Sequence, residues 1–503
     1  MSISKLAKLL VTIKYLRYNQ IIYQVAYKLY HPQYIRYECD IMPKCLLKLS
    51  ISRPIYCYDL TFKFLNLSDG FNNWNFADNG MLWAYNLNYM DWLGQEGMKY
   101  EEGAKWIDKF IDELPDNKVG LEPYPIALRG INWIKFICKH GERIEADRMR
   151  RWNDSLYSQY KLLEKKLEWH LLGNHLLEDA YSLFIASIYF RNTKMYRRYF
   201  RLLKQELNEQ ILDDGAHYEQ SPMYHCILLD RLLDCYNISK NNIYFEGQDS
   251  VNLLLEGKAS LMLGHLESIV YDNGDIPLLN DSAYGIAPSA KQLFDYAKRL
   301  GINWVKQPLK ECGYRRISLG KFEAIVDVGN VTASYQPGHT HADSLNYELR
   351  IDGQPCVIDT GISTYNKTAR RQFERSTVAH NCVSPSGKDS SEVWGGFRVG
   401  RRCQTEIIEE TQKSIVACHD GFAKVCKRKF ELSESGFVVE DWYADNAVSY
   451  IHLAEGTDPQ RILVEGADSV EIKDYQYSTE YNRFHNGKVI EIHFTGYLKY
   501  IVR

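Results

Sequence analysis

The 503-residue chain lacks an excess of either charge: 61 Lys and Arg stand against 64 Asp and Glu, a net charge of −3. That balance carries no nucleic-acid signature, so a nucleic acid is not an expected partner. It lacks a Cys-x-x-Cys pair or a regular cysteine framework, although it has 12 cysteines. Cys138, Cys226, Cys235, Cys356 and Cys382 stand in apolar surroundings and read as small buried hydrophobes, which favours a reducing compartment. No stretch is long and apolar enough to span a bilayer. No repeat of fixed period is visible, which argues against a consensus solenoid. The segment Met1 to Arg17 is basic and interrupted by Lys5, Lys8 and Lys14, and offers no signal-peptide core or small-residue cleavage site. An intracellular chain is therefore expected, with the periplasm as the alternative. Residues 1–30 read as a basic amphipathic helix packed on its own protein, and peripheral membrane contact is the second reading.

What is present describes a folded protein, 45% hydrophobic and 25% charged. The 37 tyrosines and 10 tryptophans supply aromatic surface that suits sugar rings, though Tyr is also ordinary core material. From about residue 72 to 305 the apolar period is helical. Ile107, Phe110, Ile111 and Leu114 make one stripe, and similar stripes run through 125–139, 147–170, 175–190, 196–212, 223–236 and 249–266. Short turns separate them, which predicts antiparallel helical hairpins of irregular sequence and so an α/α toroid or incomplete barrel. Beyond residue 310 the pattern changes to short strands with Gly and Asp turns, an antiparallel β-sandwich. The fold class is thus multidomain α and β. An N-terminal helical extension over 1–70 precedes the toroid at 71–305 and the sandwich at 310–503.

Three places carry chemistry. In Tyr335-Gln-Pro-Gly-His-Thr-His-Ala-Asp343, residues His339, His341 and Asp343 alternate and would share one face of an extended segment. A hairpin turn at Asp352-Gly353 returns the chain through Asp359. His380 follows in Ser376-Thr-Val-Ala-His-Asn381. Imidazoles and a carboxylate from neighbouring strands make a zinc-type donor set. In the helical half, Asn174 and His175 open an apolar helix. In Asp213-Asp-Gly-Ala-His-Tyr-Glu-Gln-Ser-Pro-Met-Tyr-His225, Ser221-Pro222 reads as an N-cap followed by Pro at the first helical position. Tyr224 and His225 then fall in the first turn.

These motifs, in this order, resemble the heparinase II/III family of polysaccharide lyases over nearly all of residues 70 to 500. The stretches that carry the resemblance are Asn73-Trp-Asn-Phe, Gly173-Asn-His-Leu-Leu-Glu, and Asp214-Gly through Glu219-Gln-Ser-Pro-Met-Tyr-His. With them come His339-Thr-His-Ala-Asp, Val357-Ile-Asp-Thr-Gly, Tyr365 and Arg375-Ser-Thr-Val-Ala-His-Asn. The resemblance implies β-elimination of an acidic, uronate-containing polysaccharide, sulfated or not. It assigns carboxylate neutralisation to Asn174 and His175 and proton transfer to Tyr224 and His339, with Tyr218 as the local rival. It assigns a mainly structural zinc to His341, Asp359 and His380, with Asp343 close by. Trp74, Glu219, Arg371 and Arg375 are the candidate substrate-binding residues.

Two other readings stand beside it. A glycoside hydrolase would need two carboxylates flanking the scissile bond, for which Asp213, Asp214 and Glu219 are candidates. A non-catalytic glycan-binding factor in bacterial surface-polysaccharide assembly would keep the cleft without the chemistry. The identity of the sugar and the oligomeric state are not written in the sequence.

Overall fold

A computed structural model describes residues 3–39, 45–47 and 49–503. Two helices, α1 (Ile3–Tyr15) and α2 (Tyr18–Leu29), open the chain, and residues 1 and 2 of the expected membrane-contacting segment lie outside the described residues. The expected helical extension over 1–70 is only partly helical. Strands Cys57–Tyr58, Thr61–Phe64 and Leu67–Gly70 form a small antiparallel sheet whose Phe62 and Phe64 are buried against the aromatic core.

The helical half follows as α3 (Met81–Tyr89), α4 (Tyr100–Glu113), α5 (Pro123–His140), α6 (Ala146–Leu163), α7 (Gly173–Tyr189), α8 (Thr193–Gln210), α9 (Pro222–Asn241), α10 (Gln248–Ile269) and α11 (Ala290–Leu300). The apolar stripes thus mark real helices, although the stripe over 147–170 stops at Leu163. Helix α7 is the central one: every residue but His175 is buried, the polar Asn174, Glu178, Asp179, Ser182 and Ser187 among them. Helix α8 keeps a stripe, burying Met195, Tyr199, Leu202, Leu203 and Leu207. Ser221 caps α9 as expected, its Oγ accepting from the Tyr224 N–H at 3.2 Å with Pro222 at the first helical position. Helix α11 has a capping box between Ser289 and Gln292 and ends at Gly301, whose φ of +77° is left-handed.

The chain then crosses to a 12-stranded antiparallel sheet among the described residues. Its main path runs through 405–410, 414–419, 426–433, 436–453, 354–357, 347–351, 322–327 and 314–319. The short strands expected throughout this half include one long one, Gly436–Leu453. It pairs with Arg483–Val502 from Phe437↔Val502 to Leu453↔Lys488 across a bulge at Tyr443/Asn446. The Asp352-Gly353 hairpin forms as expected, with φ of +52° and +73°. The segment 339–345 does not form the extended strand expected of it. Turns at Gly338–His339 and Ser344–Leu345 break it, and the strand begins only at Tyr347.

Candidate active site

Leu172 and Gly173 both take left-handed φ, +60° and +59°, and this turn delivers Asn174 and His175 to the start of α7. Only glycine suits position 173, because a Cβ there would lie 2.5 Å from Glu219 Oε1. Glu219 is the reason. Its Oε1 accepts from the Asn174 backbone N–H at 2.8 Å, and its Oε2 accepts from Asn174 Nδ2, also at 2.8 Å. The buried Glu219, expected to meet substrate, instead orients the Asn174 amide.

His175 is the exposed residue of α7, its side chain 33% accessible, with Nδ1 3.1 Å from Glu168 Oε2. Burial works against its cation, but the Glu168 carboxylate outweighs it and the pKa is raised above the ordinary imidazole value. Tyr124 packs on the ring at 4.9 Å between centroids, and Tyr89 packs on Tyr124 at 5.7 Å. One turn further into α7, Glu178 is fully buried with neither oxygen hydrogen-bonded, and burial pushes its pKa up to about 7 despite Arg231.

From the sheet side, His339 stacks on Tyr224, ring centroids 3.9 Å apart. His339 Nδ1 lies 2.9 Å from Asp281 Oδ2, while Nε2 is 3.3 Å from Asn174 Nδ2 and 3.3 Å from Glu219 Oε2. The Tyr365 hydroxyl donates to the Tyr224 hydroxyl at 3.3 Å. Burial raises both phenols above the ordinary tyrosine value, so both are protonated at neutral pH. The structure thus brings Asn174, His175, Tyr224 and His339 to one junction of the helical and sheet halves. Tyr218 is not part of the stack: it is buried, and its hydroxyl meets that of Tyr335 at 2.9 Å.

Three expected substrate contacts are buried on partners within the protein. Trp74 is buried among Phe71, Trp106 and Phe110, where the aromatic run forms core. The guanidinium of Arg371 is fully buried and spent on Asp281, Nη1 to Oδ1 at 2.5 Å and Nη2 to Oδ2 at 2.8 Å. Arg375, also buried, braces the Thr340 carbonyl at 2.7 Å. The carboxylates considered for hydrolysis do not form a pair across an opening. Asp213 is exposed, Asp214 accepts from the backbone N–H groups of Lys310 and Cys312, and Glu219 clamps Asn174.

Sequence reasoning missed Asp281. It is fully buried in Leu279-Asn-Asp-Ser282 and takes His339 on one oxygen, His341 Nε2 on the other at 2.8 Å, and Arg371 on both. Against the burial that would raise it, Arg371 and the two imidazoles hold its pKa well below the ordinary range. The short polar run Asn280-Asp-Ser282 between Leu279 and Ala283 was the available signal.

The residues named for a metal lie behind Asp281. His341 and His380 have ring centroids 5.2 Å apart. Asp359 Oδ2 is held by His380 Nδ1 at 2.7 Å and by Asn346 Nδ2 at 2.6 Å, so this carboxylate orients the His380 ring. His341 Nδ1, His380 Nε2 and Asp343 Oδ2 are buried with no hydrogen-bond partner. Orphaned buried donors of these types are what a zinc ion would satisfy, and the donor set fits one. The donor atoms of these residues do not all lie within 4.8 Å of one another. Among the described residues, donor atoms of three or more such groups fall within 4.8 Å only in Asp214–His265–Cys312 and Glu471–Glu491–His493.

At the junction of the helical half and the antiparallel sheet stand an amide, an imidazole paired with a carboxylate and a tyrosine–histidine stack. Residues 133–311 match the family described as Heparinase II/III N-terminus, and residues 303–461 match Heparinase II/III-like, C-terminal. The chain belongs to the heparinase II/III-like family. It is 26% identical to the heparin-sulfate lyase of Pedobacter heparinus over 42% of this chain and 36% of that protein's length. The match therefore spans little more than a third of that relative. Among solved structures, a heparinase III aligns with TM-score 0.65 at 14% identity over 86% of this chain and 79% of the other. A heparan sulfate lyase mutant from Pedobacter heparinus aligns with TM-score 0.58 at 14% identity over 96% and 87%. At such identities the structures establish a shared fold: helices followed by a large curled antiparallel sheet.

Proposed function

We propose that this protein is a polysaccharide lyase that cleaves a uronate-containing glycosaminoglycan by β-elimination. The observation that carries the reading is the Tyr224–His339 stack facing the Asn174–Glu219 clamp. The Asn174 amide and the His175 cation neutralise the uronate carboxylate, which lowers the cost of the enolate-like anion. His339, its Nδ1 occupied by Asp281, takes the C5 proton on Nε2. The electron pair left at C5 forms the C4=C5 double bond as the C4–O bond breaks. Tyr224, a phenol held protonated and adjoining Tyr365, gives its proton to the departing oxygen. Tyr89 and Tyr124 beside His175 offer ring faces to the sugar.

The names of the relatives point to heparan sulfate as the first substrate to try. The helical half is read as an α/α toroid and the sheet as a β-sandwich, supported by the antiparallel hairpins and the likeness to heparinase III. A zinc ion is proposed at His341 and His380 with carboxylate from Asp343 or Asp359, supported by the three orphaned donors. Such an ion would brace the segment that carries His339. A hydrolase reading has no carboxylate pair to support it. The test is product chemistry on a panel of uronate polymers: elimination leaves an unsaturated, ultraviolet-absorbing end, hydrolysis a saturated one, and binding alone neither.

A further inference from the structure

The two N-terminal helices are put on the protein with their polarity reversed. Helix α2 carries Tyr18, Ile22, Val25 and Leu29 at helical spacing, and this apolar stripe faces solvent, with Tyr18 at 77%, Val25 at 55% and Leu29 at 81% exposure. The buried residue of the same helix is a glutamine, Gln20. Helix α1 repeats the arrangement: Leu6, Leu10 and Ile13 are exposed. Both helices are held to the body by polar contacts, together with the rings of Tyr23 and Tyr27 packed on Trp169 and His170. Lys8 pairs with Glu392, Thr12 Oγ1 accepts from Trp394 Nε1 at 3.2 Å, and Arg17, in the turn between them, pairs with Glu209. Gln20 Nε2 donates to the Leu171 carbonyl at 3.1 Å, and the Tyr27 hydroxyl donates to that of Leu167. An amphipathic helix that only completed its own domain would turn the other face inward.

Charge says what covers the stripe. The first acidic residue of the chain is Glu38, whereas Lys5, Lys8, Lys14, Arg17, Lys28 and Arg36 precede it. Lys14 and Lys28 are exposed among the outward apolar residues. Apolar side chains interleaved with cations, and no anion for 37 residues, match an anionic bilayer surface: acyl chains below, phosphate groups at the rim. Among the described residues no helix is long and apolar enough to cross a membrane, so contact would be in the plane of the interface.

We infer that α1 and α2 form a docking face for an anionic lipid surface. The helices that carry this face pack beside the candidate active site. Gln20 holds the backbone two residues before Gly173, and the Arg17 guanidinium lies 3.8 Å from the centre of the Tyr335 ring, four residues before His339. Docking therefore places that junction beside the membrane, where a lipid-attached glycan would be presented. The inference stands on the surface alone and does not depend on the reaction assigned to the junction.

The experiment is co-sedimentation of the full-length protein with phosphatidylcholine vesicles and with vesicles containing phosphatidylglycerol. Binding at least about tenfold tighter to the anionic vesicles, weakened by salt, is expected. V25E with L29E should abolish binding to the anionic vesicles with the melting temperature unchanged. K14E with K28E should remove the preference for anionic lipid, and L253E, on an exposed residue of α10, should change nothing. Failure of the wild-type chain to sediment with either vesicle overturns the inference. So does a wild-type dimer in light scattering that V25E converts to monomer without any vesicle binding, which would assign the face to a second copy.

Discussion

Asp281 receives His339 Nδ1 at 2.9 Å and thereby decides which nitrogen of that ring is free. With Nδ1–H committed to the carboxylate, the Nε2 lone pair is the one presented to Asn174 and the junction. The same carboxylate takes His341 Nε2 and leaves Nδ1 of that ring open toward the proposed metal. One buried acid thus sets two tautomers, with Arg371 balancing its charge.

Replacing Asp281 by Asn keeps the size and removes the charge. Turnover should fall by about 10²–10⁴-fold, as expected when the orienting partner of a proton-transferring histidine is lost. The fold should also lose about 3–5 kcal/mol, because Arg371 is left buried without its anion. Turnover and thermal melting, measured on the same preparation, check both arms. A change in stability with normal turnover and an unchanged pH profile would reduce Asp281 to a structural role.

The His175–Glu168 pair fixes an alkaline limb. The folded pKa of His175 is raised above its unfolded value, ~6.5. Its contribution to stability is therefore complete below the unfolded pKa and is lost as pH rises through the folded one. Turnover that uses the cation should decline over that same window. In Glu168→Gln the decline in kcat/KM should move to lower pH. An alkaline limb that stays in place in this variant would show that His175 does not act as a cation.

Gly173→Ala adds one methyl group where φ is +59° and Glu219 Oε1 is 2.5 Å away. The left-handed backbone alone should cost about 1–2 kcal/mol. Displacing Glu219 also releases Asn174, so turnover should drop more than an equally destabilised variant remote from the junction would show. Melting temperature against turnover for both variants measures this.

Metal analysis of the purified protein should find about one zinc, by the reading of His341, His380 and their neighbouring carboxylates as one site. His380→Ala should lose it and lower the melting temperature, and a chelator should do the same to the wild type. No divalent metal, together with indifference to chelator, would leave the three orphaned donors without an ion.

Much of this was legible locally. The Ser221-Pro222 cap was readable because a side-chain oxygen, a missing N–H and a fixed φ act within four residues, and it places Tyr224. The Asp352-Gly353 hairpin was readable for the same reason. The family motifs named Asn174, His175, Tyr224 and His339, which the fold does bring together. Partners distant in sequence were not legible. Nothing near Arg371 says that its charge is spent on Asp281, 90 positions away, instead of on a ligand. Trp74 looked like a sugar platform because composition cannot separate an aromatic core from an aromatic cleft. Alternation at 339, 341 and 343 suggested a strand, but the shared hold of Asp281 on both imidazoles sets that segment's path.

The most direct measurement follows the ultraviolet absorbance of unsaturated uronate ends released from heparan sulfate and other uronate polymers, by the wild type and by Tyr224→Phe. The account predicts absorbing product from the wild type on at least one polymer. Tyr224→Phe should fall by about 10²–10⁴-fold with its melting temperature nearly unchanged, since only a hydroxyl is removed. Tyr218→Phe, whose hydroxyl meets Tyr335 away from the stack, should keep most of the activity. Saturated ends from the wild type, or full elimination by Tyr224→Phe, would contradict it.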